Sequence, residues 1–213
     1  MATTYQQQLM RVLARTCINH HNEIMKEPSI KHAHVYCKIQ GLSGQITGPL
    51  IEKYIQYKCN MSKNHASQCI GDLQHNGCNL EIKVSNGGQN HNKFNYVQMR
   101  MNHQCDYLLT AYYLDDSNVS ALGDLFLFRI SKHDLRQIIA QYGSYAHGTK
   151  EKLGAITLSD LENQENTKEY ALRPKYGDEC WKSLLPFRIE EFAIQTNELA
   201  ASHGVLSSGV HAI

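Results

Sequence analysis

Asp72, Glu81 and Lys83 are residue types that chemistry uses: two carboxylates and an ammonium within a dozen positions. Between the acids lies Asn76-Gly77, flanked by short apolar-patterned runs. Asn-Gly favours a type I′ hairpin turn, which needs positive φ at both central residues. With that turn, His75 faces Cys78, Gln74 faces Asn79, Leu73 faces Leu80, and Asp72 faces Glu81. Residues directly opposed on a hairpin share a face, with Cβ atoms about 4.5–5.5 Å apart. The strand period of two places Lys83 with Glu81 and sends Leu80, Ile82 and Val84 to the other face. Two adjacent carboxylates repel each other, and a divalent cation relieves the repulsion. Oxygen-only ligation suits a hard ion such as Mg²⁺. The bland reading of the same residues is a half-exposed hairpin with a solvated polar face.

The elements around the hairpin must hold it in place. Residues 4–26 carry apolar positions at near-helical spacing and predict an opening amphipathic helix. His34–Ile39 reads as a short extended piece. Gly41, Gly44 and Gly48 punctuate the next stretch, and Pro49–Lys58 reads as a helix with its proline near the first turn. Leu50, Tyr54 and Tyr57 form one stripe of that helix, and Glu52 lies beside it, within reach of the acids. After Gly87-Gly88, the spacing of Phe94, Val97 and Met101 predicts a second helix. Cys105–Leu114 and Leu125–Ile130 are near-continuous apolar runs, as buried central strands should be. Ser131 is placed to cap a helix over 132–142, with Asp134 in its first turn. Helix, hairpin, helix, strand, strand, helix is an α/β or α+β plan. Leu161–Ala171 reads as loop, and Tyr176–Ile194, with the single Trp181, as a segment packed back on the core.

With 213 residues the chain suits one domain over residues 1–199, followed by a small-residue tail at 200–213 that is expected to be flexible. The formal net charge of +1 announces no global basic field, but nucleic-acid binding depends on local charge. No apolar run approaches a membrane span, and the first residues lack the regions of a signal peptide. The seven cysteines are irregularly spaced and include no CxxC pair. Free thiols and a cytoplasmic location are the expectation. Neither His20, His21, His32, His34 and Cys37 nor Cys69, His75 and Cys78 offers the paired spacing of structural zinc. Parity on the hairpin suggests that Cys69 and Cys78 are buried, away from the acids.

Asp72, Glu81 and Lys83, in this order of elements, resemble the PD-(D/E)XK nuclease signature, with Ile70-Gly71 standing where that signature usually has proline. Gly41-Leu-Ser-Gly-Gln-Ile-Thr-Gly-Pro-Leu-Ile-Glu52 is similar to the glycine-punctuated helix start, with an inward glutamate, of type II restriction endonucleases. The resemblance covers about 41–142. It implies a restriction-endonuclease-like fold: a mixed β-sheet core flanked by helices. It also implies Mg²⁺ held by Asp72, Glu81 and the backbone carbonyl of Ile82, with Glu52 an outer contact. Lys83 would orient or activate the attacking water, and Gln98 would be a polar residue near the site.

Candidate DNA contacts are Asn86, Gln89, Asn92, Lys93, Asn95 and Arg100 in the amide-rich stretch, and Arg173 and Lys175 in a Pro- and Gly-bounded loop. Asn and Gln pair bidentately with adenine, Arg and Lys with guanine, and the cations also anchor phosphates. Lys63, Asn64 and His65 are candidate phosphate contacts. The expectation is a Mg²⁺-dependent, sequence-specific endonuclease of double-stranded DNA. It would act as a homodimer, since two-fold symmetry is the simplest way to cut both strands of a palindrome. The alternatives are a structure-specific or repair nuclease and a non-catalytic DNA-binding module.

Overall fold

The computed structural model describes residues 18–65, 68–87, 92–114 and 122–195. The hairpin forms in the expected register over three residue pairs, while the expected fourth pair, Asp72 with Glu81, falls outside the strand pairing because the Asp72 N–H bonds to the Leu80 carbonyl. Asn76 and Gly77 have φ of 52° and 77°, and Leu73, Gln74 and His75 pair with Leu80, Asn79 and Cys78. The two strands are β2 (Leu73–His75) and β3 (Cys78–Asn86), preceded by the short β1 (Ser62–Lys63). The expected apolar runs become β5 (Asp106–Tyr113) and β6 (Asp124–Ile130), with β4 (Tyr96–Arg100) before them. These and β9 (Arg188–Ile189) build a six-stranded sheet in the order β1-β2-β3-β5-β6-β9. The sheet is mixed: β3 and β5 run parallel and its other neighbours antiparallel. A second, three-stranded sheet joins β4 to β8 (Glu169–Leu172) and β7 (Ser144–Tyr145).

Alternation along the central strands divides the apolar side chains between two cores. Leu80 and Ile82 of β3, Leu108 of β5 and Leu127 of β6 pack with helices α1 (Ile30–Ile39) and α2 (Gly44–Lys58). Tyr107, Leu109, Phe126 and Phe128 face the opposite way, toward the second sheet and helix α3 (Lys132–Tyr142). Trp181 completes this second core, stacked on Phe94 at 5.0 Å and edge-on to Phe126 at 4.9 Å. It comes from the expected packed-back segment, on the short helix α6 (Glu179–Leu184), which follows α4 (Lys150–Leu153) and α5 (Leu158–Glu162) and precedes α7 (Glu191–Gln195). Each fully buried Leu, Ile or Phe contributes about 1.5–3 kcal/mol. The sheet is thus fixed from both faces. Ser131 caps α3 as expected, accepting the Asp134 N–H at 3.1 Å.

Five local expectations are corrected. His34–Ile39 is helical, not extended. Ser29 accepts the His32 N–H at the start of α1, and Ile30, Ala33, His34 and Cys37 form its buried stripe. The segment read as a helix around Val97 is strand β4. Helix α2 begins five residues before Pro49, and its buried stripe runs through Thr47, Leu50, Ile51, Tyr54 and Ile55 while Tyr57 is 71 % exposed. Leu161–Ala171, read as loop, supplies the middle strand of the second sheet. Cys69 and Cys78 are exposed rather than buried. The opening helix is seen over residues 18–24; its expected start and the 200–213 tail lie outside the described residues. The described cysteines are free thiols, and no helix among the described residues is long and apolar enough to cross a membrane.

Candidate active site

Strand β3 is paired with β2 only as far as Leu80, which lies opposite Leu73, the first residue of β2. On its other edge β3 stays paired with β5 through Asn86. From Glu81 onward, the first edge therefore carries no partner strand among the described residues. A cleft of about 650 Å³ opens along it, between α2 on one side and β4 on the other. Asp72, Glu81, Ile82, Lys83, Glu52 and Gln98 all line this cleft. The expected catalytic set is therefore gathered in one place.

Each group arrives by a definite route. Gly71, at φ +82°, lets the chain turn into β2, and the Asp72 N–H meets the carbonyl of Leu80 at 3.1 Å. The Asp72 carboxylate then accepts the Ile82 N–H at 3.4 Å. A strand residue presents its N–H and C=O on the same edge, so the Ile82 carbonyl also points to the open side. Lys83 lies two residues along from Glu81, and its Nζ is 2.6 Å from Oε1 of Glu81. Glu52 comes from α2, where Gly44, Gly48 and Glu52 recur every four residues and so share a helix face. All three border the cleft. A Cβ built on Gly44 or Gly48 meets nothing within 4 Å, so the glycines leave open space.

The electrostatics are those of a site short of positive charge. Three carboxylates, Glu52, Asp72 and Glu81, share the cleft wall with the ammonium of Lys83. Burial first, then the charge of Asp72, pushes the Glu52 carboxyl from 4.5 up to about 7. Burial and Glu81 also raise Asp72, against the opposing pull of Lys83 and the Ile82 N–H. A divalent ion would relieve both. The donors are carboxylate and carbonyl oxygens, which fit Mg²⁺.

Gln98 reaches the cleft from a strand, at φ +56°, where the β4–β8 register shifts between Tyr96 and Met99. Asn95 and Arg100 also border the cleft, but Arg100 is paired with Glu169, its Nε at 2.9 Å from Oε1. Asn86 faces an adjoining cavity of about 490 Å³, its Oδ1 2.5 Å from His34 Nδ1. Asn92 offers its backbone carbonyl to Tyr176 N–H at 2.6 Å. Arg173 donates to Ser144. Gln89 lies outside the described residues. Lys93 and Lys175, expected in separate segments, form a bridge, and Phe94 N–H donates to the Pro174 carbonyl at 2.9 Å. The amide-rich stretch and the Arg173–Lys175 loop are thus one surface. Asn64 braces the Asp72 turn instead of reaching outward, its Nδ2 donating to the carbonyls of Ile70, Gly71 and Leu73.

Sequence reasoning missed His103 and Cys105. His103 Nδ1 stands 3.8 Å from Oε2 of Glu81, and Cys105 precedes β5 at the level of the acids. Their placement follows from the parallel pairing of β3 with β5, which no local pattern in the sequence carries. No protein-family model matches the chain, and no curated protein does.

Proposed function

We propose that this chain is a Mg²⁺-dependent endonuclease that hydrolyses phosphodiester bonds in double-stranded DNA at a short specific sequence. In this reading the mixed sheet and its helices are a restriction-endonuclease-like core of the PD-(D/E)XK superfamily, and the chain is a cytoplasmic homodimer. The observation that carries the proposal is the convergence of Asp72, Glu81 and Lys83, with Glu52, on a cleft along an open strand edge. The glycine-faced helix wall gives a polymer backbone room to approach.

Asp72, Glu81 and the Ile82 carbonyl would hold the ion, with Glu52 as an outer contact. Bound there, Mg²⁺ supplies charge neutralisation for the phosphate and acidifies water. Lys83, oriented by Glu81, donates N–H to the attacking water or to a phosphate oxygen as negative charge grows. Water oxygen bonds to phosphorus and releases a proton to solvent, the bond to the leaving oxygen breaks, and that oxygen takes up a proton from solvent. Glu52, its carboxyl raised to about 7 by burial and Asp72, would release its proton on the binding of a cation beside it.

A structure-specific nuclease of the same fold is the second reading. It is favoured by the engagement of Asn86, Arg100 and Arg173 with His34, Glu169 and Ser144, which leaves fewer groups to read bases. Incubation of the chain with mixed plasmid and phage DNA, with and without Mg²⁺, tests both. Discrete bands support the first reading and a smear or branch-directed cutting the second. No cleavage under either condition leaves a non-catalytic binding module. Asp72→Asn should abolish the Mg²⁺-dependent reaction, and unaltered metal dependence in that variant would remove Asp72 from the ligand set.

A further inference from the structure

Behind the Lys83 side of Glu81 lies a second group of ligand atoms with a different chemistry. A carboxylate oxygen of Glu81, a ring nitrogen of His103 and Sγ of Cys105 all lie within 4.8 Å of one another. They come from three elements: β3, the turn after β4, and the residue before β5. Parallel pairing of Leu80 with Asp106 and Glu81 with Tyr107 brings them level. Gly71 clears the space, since a Cβ there would stand 2.9 Å from the Cβ of Cys105.

We propose that Glu81, His103 and Cys105 form a binding site for a borderline-soft divalent cation of the zinc class, distinct in chemistry from the hard-ion site but sharing Glu81 with it. Zinc takes nitrogen and carboxylate oxygen at about 2.0–2.2 Å in tetrahedral array, which puts such a pair about 3.4 Å apart. The 3.8 Å between Nδ1 of His103 and Oε2 of Glu81 is close to that spacing. His103 Nδ1 is buried and has no hydrogen-bond partner. Buried polar atoms are almost always partnered, and a cation at the centre of the three ligands supplies the missing partner. Three protein ligands with a fourth position open is the pattern of an accessible zinc site rather than a structural one. Thiolate and imidazole select zinc-class ions and are poor ligands for Mg²⁺.

The two sites draw on opposite ends of one carboxylate. Oε1 of Glu81 holds Lys83 and Oε2 faces His103. A zinc-class ion would pull Glu81 away from Lys83 and compete with Mg²⁺. The competition rests on the nuclease reading; the binding does not.

The test uses the full metal-free chain and Co²⁺ as a spectroscopic stand-in for zinc. The expected result is one Co²⁺ per chain with a thiolate-to-cobalt charge-transfer band, displaced by Zn²⁺. Cys105→Ser should lose the band, while the Cys69→Ser and Cys78→Ser variants, altered at exposed thiols, should keep it. His103→Gln should weaken binding by more than about 100-fold, since even groups outside a ligand set are worth about 10–100-fold. Circular dichroism of each variant checks the fold. Should Cys105→Ser not fold, the His103→Gln titration decides alone. Absence of the band in the parent, or its persistence in Cys105→Ser, overturns the site. Equimolar Zn²⁺ should suppress Mg²⁺-dependent DNA cleavage; undiminished cleavage overturns the competition. A chain that cuts no DNA but shows the band retains the zinc-class site and loses the nuclease reading.

Discussion

Nζ of Lys83 and Oε1 of Glu81 are 2.6 Å apart, and neither side chain is more than 17 % exposed. This pair fixes the one ammonium of the triad beside the acid that would share a cation with Asp72. Truncating one partner of a shielded pair leaves the other charge uncompensated. Lys83→Ala should therefore lose roughly 1–3 kcal/mol of stability in metal-free buffer. Added Mg²⁺ should restore part of that loss. DNA cleavage should fall by at least about 100-fold, with affinity for DNA changed little. Single-turnover cleavage and fluorescence anisotropy separate the two effects. Cleavage at the parent rate would exclude Lys83 from the chemistry.

Glu52 sets the pH response. Its carboxyl is pushed from 4.5 to about 7, by burial first and by Asp72 next. The folded chain then keeps a proton that the unfolded chain releases. The stability contributed by that proton is complete below pH 4.5 and lost as pH rises through about 7. Glu52→Gln has no such proton. Its stability relative to the parent should rise across this window and level off above it, by about 1–2 kcal/mol once solvent screening is allowed for. Denaturant unfolding in EDTA at several pH values measures the change. A pH-independent difference would mean that Glu52 is not under this strain. Mg²⁺ should bind the parent more tightly as pH rises through 7, and that slope should flatten in the variant.

The central elements are legible in the sequence because their signals are local. Asn76-Gly77 fixes the turn and hence the pairing of Leu73 with Leu80. Tyr107–Tyr112 and Phe126–Phe128 are apolar enough to belong only in a sheet interior. Strand β4 reads as a helix for a physical reason. Phe94, Tyr96, Met99 and Met101 are all buried, a period of two interrupted by one extra residue at the Val97–Gln98 irregularity. That insertion makes Phe94, Val97 and Met101 fall at helical spacing. Helix α1 is hidden differently: its buried stripe includes His34, Ala33 and Cys37, which a search for large apolar residues passes over. In the site, Glu81 and Lys83 follow from strand parity alone, whereas Asp72 joins them from just before β2, bonded to Leu80 and Ile82 rather than paired with Glu81. The positions of His103 and Cys105 depend on which strand lies beside β3, and no local pattern carries that.

Lys93 and Lys175 test the nucleic-acid surface. They are paired across an isolated bridge, and both are exposed. Like charges directly opposed on paired strands are destabilising, so an anion between them is favoured. Lys175→Ala should leave the free protein as stable as the parent or slightly more so. It should weaken DNA binding and reduce the slope of log affinity against log salt by about one. Binding isotherms at several salt concentrations provide the measurement. An unchanged slope would place the DNA elsewhere.

Gly48 sets helix stability against access to the cleft. It lies inside α2, where glycine costs about 0.5–1 kcal/mol relative to alanine. Its added Cβ would touch nothing within 4 Å, so no steric cost offsets that gain. Gly48→Ala should raise stability by about that amount. Gly48 also borders both the Glu52 cleft and the adjoining cavity at Asn86, where a side chain would occupy the path of the polymer. Gly48→Leu should keep the fold and weaken DNA binding by more than tenfold (about 1.4 kcal/mol), with Gly48→Ala intermediate. Thermal unfolding and anisotropy on the same three proteins give opposite trends if the cleft is the binding path. Gly48→Leu with parental DNA affinity would show that the substrate does not run along this face of α2.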